Sequence, residues 1–420
     1  MRCGVLHHWL VVLLTAAVLY GGSPALASEA ELGSPAPQTA LPSATPLPPP
    51  AGDAVTPSAT PPVIEPSASP SLVPALPAAA PAVAPSPAPL PPHVAGPHLA
   101  LVLPLASSSF SSYALAVKDG FLAAAQAQGG TSLPVNIYAV GDDPQQAVAT
   151  YIKALGAGAR IVVGPLTRNG VTALAESATV MVPTLALNVP EGKIPAVPDF
   201  YMLSLHAESD ARQVAQLAWQ DGRRSALTVM GETALLRRIH LAFVEEFARL
   251  GGTVLAPLPF TTDPEGLARI KKAADAAIDT ETADMAFMAL DLPRARLARP
   301  YLSTLPIYAT SQVHPGVAGP LVAFDLAGVR FLDMPWLLQP ENPLVMLYPR
   351  PAYDESVELS RFYALGIDAF RMAMVLLAGK PRDAFDGVTG RLTLGPDSMF
   401  VRALTPAQFS DGRLIVRERR

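Results

Sequence analysis

Four short polar loops, each placed just after an apolar run, hold the side chains best suited to chemistry in this chain. They are Ser107, Ser108 and Ser109; Thr167, Arg168 and Asn169; Asn188; and Thr310, Ser311 and Gln312. Hydroxyls, amides and the free N–H groups at a helix start suit a carboxylate, or a zwitterion such as an amino acid. Arg168 adds a cation for an anionic group. The competing role is local, with Ser111 or Ser112 capping the next helix and Asn188 closing a turn. A complete amino-acid site also needs an acid aimed at the ligand amine, for which Asp263 and Asp291 are available.

Catalytic patterns are absent around these loops. There is no Ser-x-x-Lys, Lys-Thr-Gly or Gly-x-Ser-x-Gly, so neither a transpeptidase nucleophile nor a hydrolase elbow is visible. Gly164-Pro-Leu-Thr-Arg-Asn-Gly170 has flanking glycines but lacks the Gly-Lys-Ser/Thr that completes a phosphate loop. After His98 the histidines are His206, His240 and His314, none at metal-ligand spacing from another. The only cysteine is Cys3. No catalytic residue, cofactor or metal is therefore assigned, and the chain reads as a non-enzyme.

The N-terminal quarter does not belong to a fold. Arg2, the apolar run Leu10 to Leu19 and the small-residue site Ala25-Leu26-Ala27 read as a cleaved secretory signal peptide over 1–27. An uncleaved membrane anchor is the rival reading, but Gly21, Gly22 and Pro24 break the run short of the roughly 20 residues a span needs. Cys3 precedes the apolar run, so no lipid anchor is expected. From 28 to 97 the chain carries 21 of its 46 prolines and no lysine or arginine. Such a stretch buries too little to offset its ordering entropy and reads as a disordered, Pro/Ala-rich linker with a reach on the order of 200 Å. It is a spacer, able to carry a folded domain through a cell-wall layer. A net charge of −5 gives no footing for nucleic acid.

What positions the polar loops is an alternation of strands and helices from residue 98 onward. Strands are expected at 99–105, 135–140, 160–163 and 184–187, with helices at 113–127, 144–156 and 169–178. In the first of these helices Tyr113, Val117, Phe121 and Ala124 form one apolar stripe. A second set begins near Tyr201: helix 212–220, strand 225–230, helix 234–250 stopped by Gly251-Gly252, then strands 253–259, 284–290 and 306–309. The apolar helix 362–377 is expected to return to the first set. This predicts an α/β chain of two lobes, each a mostly parallel sheet flanked by helices, with a hinge and a cleft between them. Lobe 1 is expected at about 98–205 and 307–386, and lobe 2 at about 206–306 and 387–420. Ligands of such sheets are met beyond the C-terminal strand ends, where the four polar loops fall.

Eight segments in order resemble the penicillin-binding-protein activators of the LppC family. They are Leu101-Val-Leu-Pro-Leu105, Lys118-Asp-Gly-Phe121, Val163-Gly-Pro-Leu166 and Val182-Pro-Thr-Leu-Ala-Leu-Asn188, then Ile307-Tyr-Ala-Thr-Ser-Gln312, Val329 to Trp336 with its Asp333-Met-Pro-Trp core, Tyr363-Ala-Leu-Gly-Ile-Asp368 and Phe385-Asp-Gly-Val-Thr-Gly390. The resemblance covers 98 to 415 and implies a type I periplasmic-binding-protein fold used as a regulator. It implies a partner, a class A penicillin-binding protein whose cross-linking of peptidoglycan is promoted, and a periplasmic, envelope-associated location. The chain departs from the family in lacking a lipid-attachment cysteine and in having a Pro-rich linker where members carry a helical-repeat domain. The other function class consistent with the residues is a solute-binding protein for an amino-acid or amide ABC transporter.

Overall fold

The computed structural model describes residues 93–129, 133–316, 320–353 and 355–417. The expected signal peptide, the absence of a lipid anchor and the linker up to Pro92 lie outside the described residues. The end of the expected linker is described, and it is ordered. His93 lies on the Tyr138 ring at 4.3 Å between centroids, and the Asn136 side chain brackets Val94 by accepting from its N–H and donating to its carbonyl. The folded domain thus starts at least five residues earlier than composition indicates.

In chain order the first half of lobe 1 is β1 (His98–Leu103), α1 (Ser111–Ala127), β2 (Val135–Ala139), α2 (Pro144–Gly156), β3 (Ala159–Val163), α3 (Arg168–Glu176), β4 (Thr184–Ala186) and β5 (Phe200–Leu203). Lobe 2 follows with α4 (Ala207–Gln220), β6 (Ser225–Met230), α5 (Ala234–Arg249), β7 (Thr253–Val254), β8 (Leu258–Pro259), α6 (Pro264–Asp279), β9 (Met285–Ala289), α7 (Leu292–Ala298), β10 (Ile307–Ala309), α8 (Pro320–Asp325) and β11 (Arg330–Asp333). The chain returns through α9 (Pro335–Leu338), α10 (Val357–Leu377), β12 (Phe385–Gly387), β13 (Gly390–Leu394) and β14 (Met399–Ala403), and ends in lobe 2 with β15 (Thr405–Ser410) and β16 (Arg413–Val416).

Each lobe has one sheet, in the orders β12-β13-β14-β5-β4-β3-β1-β2 and β16-β15-β11-β10-β9-β6-β7, with β8 also paired to β6. The pairs from β14 through β2 and from β11 through β7 are parallel, and each sheet closes with antiparallel strands from the C-terminal segment. Central strands are buried on both faces, as a parallel sheet covered by helices requires. In β1, Leu99, Leu101 and Leu103 enter the core under α1 and α10, while Ala100 and Val102 enter the core under α2 and α3. In β9, Met285, Phe287 and Ala289 face α4 and α5, while Ala286 and Met288 face α6 and α7.

The register corrects the expected lobe boundaries. β10 pairs with β9, and β11 with β10, so the segment from 307 to 333 belongs to lobe 2. β14 pairs with β5, so 387–403 belongs to lobe 1. The chain crosses between lobes at 204–206, at Met334 and at Leu404. α4 begins at Ala207 and α10 at Val357, both earlier than the apolar periodicity indicates. Ser356 caps α10 by accepting from the Leu359 N–H at 3.3 Å.

The tightest packing joins α1 to α10. Gly120 and Gly366, each inside one of the resembling segments, sit where the helices cross. A Cβ on Gly366 would lie 2.8 Å from the Phe121 amide nitrogen, and one on Gly120 would lie 2.8 Å from the Tyr363 carbonyl carbon. Only hydrogen fits at these two positions. Phe121 and Phe370 fill the flank edge to face, their centroids 5.2 Å apart.

Candidate functional site

The three crossings lie beside the loops that leave β3, β5, β10 and β11, and polar side chains gather there. Of the loops expected to bind a ligand, the one after β10 reaches the lobe boundary: the Ser311 carbonyl accepts from Arg361 of α10 at 2.8 Å. Thr310 and Ser311 are buried, and Gln312 is half-buried. In the loop after β3, Arg168 is half-buried and donates to the Pro190 carbonyl at 3.0 Å. Its charge is felt by His206, on the first crossing, and by Glu208 of α4. Thr167 holds the capping position just before α3 but makes no side-chain cap, and exposed Asn169 accepts from the Gly170 N–H at 2.8 Å.

The remaining expected residues are held within lobe 1. Asn188 donates to the Leu166 carbonyl and accepts from the Val189 N–H, both at 2.9 Å, and so ties the β3 and β4 loops together. Ser107 donates to Asp142, and its Oγ accepts from the Ser109 and Phe110 N–H groups at 3.1 and 2.9 Å. These bonds shape the turn before α1; no side chain caps α1 itself, so the cap expected of Ser111 or Ser112 is not formed. Ser108 reaches the other Asp142 oxygen at 3.2 Å, and Ser109 is exposed. The hydrogen bond from Ser107 leads the effects that hold the Asp142 carboxyl below its ordinary range. Asp263 and Asp291 are helix caps, of α6 on the Gly266 N–H at 2.8 Å and of α7 on the Arg294 N–H at 3.2 Å.

The dominant feature of the boundary is a buried charge network that the sequence reading did not include. Arg361 donates to Asp333 Oδ2 at 2.7 Å, and His314 Nδ1 lies 2.8 Å from the same oxygen. The other Asp333 oxygen accepts from the Met334 N–H at 2.8 Å. Burial penalises this carboxylate, yet Arg361 and His314 outweigh it and hold Asp333 well below the usual range. Nearby, Arg402 of β14 donates to Asp210 of α4 at 2.9 Å and to the Ser204 carbonyl at 2.8 Å. Here burial outweighs Arg402, and the Asp210 carboxyl is pushed up. Gln213 completes the second group, donating to the Arg402 carbonyl at 2.8 Å and accepting from the Leu404 N–H at 3.0 Å. The one signal for Arg361 was its position just ahead of the apolar run Phe362 to Ile367, where a charge needs a partner.

Four buried polar atoms on these loops and on α10 lack a hydrogen-bond partner among the described residues: Arg168 Nε, His206 Nδ1, Thr310 Oγ1 and Arg361 Nε. They are mostly donors, which water or a small acceptor would satisfy. No group of three or more potential metal ligands occurs among the described residues, and no described helix is long and apolar enough to cross a membrane.

Comparison with known proteins adds the family. The model of the family described as "LppC putative lipoprotein" matches residues 94–412. A relative named penicillin-binding protein activator LpoA, from Pantoea ananatis (strain LMG 20103), is 28% identical over 333 residues, which is 69% of this chain and 48% of its own length. The protein of the same name from Serratia proteamaculans (strain 568) is 27% identical over 320 residues, 67% of this chain and 47% of its own. The chain therefore spans about half the length of the curated relatives it matches. Among solved structures, one from Chromobacterium violaceum ATCC 12472, described as "a putative branched-chain amino acid ABC transporter", is 38% identical with a TM-score of 0.63, covering 74% of this chain and 99% of that one. The LpoA C-domain from Haemophilus influenzae, described as "a regulator of PBP1A", is 23% identical with a TM-score of 0.65 and covers 76% of this chain and 100% of that one. The two-lobed type I periplasmic-binding-protein fold expected from the sequence is the fold of this chain. With the family model spanning nearly all of the folded region, this chain is a member of the LppC family.

Proposed function

We propose that the protein is a non-catalytic periplasmic regulator that docks on a class A penicillin-binding protein and promotes its cross-linking of peptidoglycan. The relatives named as activators support the partner class. The observation that carries the reading is that Ser107, Asn188, Asp263 and Asp291, among the side chains expected to hold a solute, are committed to the protein itself. Ser107 serves Asp142 and the turn before α1, Asn188 joins two loops, and Asp263 and Asp291 cap helices. A zwitterion would find no free acid among these for its amine, and desolvating an unpaired ammonium is costly. A signal peptide over 1–27 and a spacer over 28–92 fit a protein that acts at a distance from its point of export.

A second reading, a solute-binding protein, is favoured by the Chromobacterium violaceum relative and by the four unpartnered polar atoms at the boundary. Titration separates the two. The exported protein is expected to give no binding heat with any of the twenty amino acids at millimolar concentration, and to be retained by an immobilised class A penicillin-binding protein. Micromolar binding of one amino acid, with no retention, would replace the regulator reading by the transport one.

A further inference from the structure

Both arginines of the boundary network come from lobe 1, and every side-chain acceptor they find across the boundary is in lobe 2. Arg361 leaves α10 and meets the Asp333 carboxylate and the Ser311 carbonyl; Ser311 lies in the β10 loop, which is not itself one of the three crossings. Arg402 leaves β14 and meets Asp210, while Gln213 of α4 holds the Arg402 carbonyl and the Leu404 amide. All four charged groups are buried, Asp333 to 2%, Arg402 to 4%, and Asp210 and Arg361 to 8% exposed. Trp336 extends the same contact. Its indole lies in the lobe 1 core and donates to Ser360 at 2.9 Å, while Leu338, two residues on, enters the lobe 2 core.

We infer that these pairs act as an ionic lock that holds the two lobes in one relative orientation, so the lobes move as one rigid body rather than as a clamshell. Rotation about the crossings draws Arg361 away from Ser311 and strains its hold on Asp333. Each bond is charge-assisted and buried, and separating such partners leaves charges that the low-dielectric boundary solvates poorly. An apolar boundary would slide at little cost, whereas donors fixed in one lobe and acceptors in the other define a single register. The surface formed by both lobes is then preorganised, which lowers the ordering cost of any docking onto it. The lock is a property of the chain alone and does not depend on the identity of the partner.

Spin labels test it. In a Cys3→Ser chain, nitroxides at Ile152→Cys in lobe 1 and Lys272→Cys in lobe 2, both exposed, report the lobe-to-lobe distance. The lock requires one narrow distance distribution in the otherwise native chain. Paired Arg361→Met and Asp333→Asn substitutions should add a second population at longer distance while a cooperative melt is retained. Should that pair fail to fold, Arg402→Lys, which keeps the charge but loses the fork, should broaden the distribution alone. A broad or two-peaked distribution in the native chain would overturn the lock, as would narrow, unshifted distributions in the folded variants.

Discussion

Replacing Gly366 with valine is expected to destabilise the folded domain by about 3 kcal/mol or more, and Gly120→Val by a similar amount. The added atoms have nowhere to go. On Gly366 the first of them falls 2.8 Å from the Phe121 amide nitrogen and 2.9 Å from the Val117 carbonyl carbon, both backbone atoms of α1. Backbone cannot rotate aside as a side chain can, so α1 and α10 must separate, and the interface that buries Phe121, Ile367 and Phe370 opens with them. Gly156, at the end of α2, is the control. Nothing lies within 4 Å of a Cβ there and its backbone is helical, so Gly156→Ala should be neutral or slightly stabilising. Denaturant melts of the three variants check this; a loss below about 1 kcal/mol for Gly366→Val would mean the helix crossing yields more easily than close packing allows.

Asp368→Ala is the second large effect, expected at about 3–5 kcal/mol because it strips the acceptors from a buried set of donors. The Asp368 carboxylate is wholly buried and receives the Val388 N–H at 3.0 Å, the Thr389 N–H at 2.7 Å and the Thr389 hydroxyl at 2.6 Å. It pins the β12–β13 turn to α10, which explains why Tyr363 to Asp368 and Phe385 to Gly390 occur as a matched pair of segments. Burial pushes the carboxyl up, against the pull of Thr389 and Arg371. Asp368→Asn tests the same point with shape preserved, since one oxygen becomes an amide that faces donors. Both variants should lower the melting temperature in far-ultraviolet dichroism, with Ala the more damaging. Two unchanged melts would show that the turn is held by its apolar contacts.

The elements most legible in the sequence were those whose signal is local. β1 and β9 read as strands because a strand buried on both faces is a continuous apolar run, and α10 read as a helix because its apolar surface is long. The lobe to which a strand belongs is not a local property. Ile307–Ala309 has the same apolar character as the strands of lobe 1, and only its pairing with β9, and that of Arg330–Asp333 with it, assigns both to lobe 2. The charge network was hidden for the same reason: Asp210 and Arg402 lie 192 residues apart, and Asp333 and Arg361 lie 28 apart, with no periodicity to connect them. At the loops, residue types identified hydroxyls and amides but not their partners. Nothing before the fold showed that Asp142, after β2, would occupy Ser107 and Ser108.

A body that binds the active conformer of a synthase more tightly than the inactive one shifts the population toward activity, by no more than its differential affinity. A tenfold stimulation needs about 1.4 kcal/mol of that difference, well within what one docking surface supplies. The decisive measurement is the rate of peptidoglycan cross-linking by a purified class A penicillin-binding protein with and without this protein at saturating concentration. The regulator reading predicts no cross-linking by the protein alone and a several-fold higher rate for the synthase in its presence. An unchanged synthase rate, with the protein folded and present in excess, would contradict it.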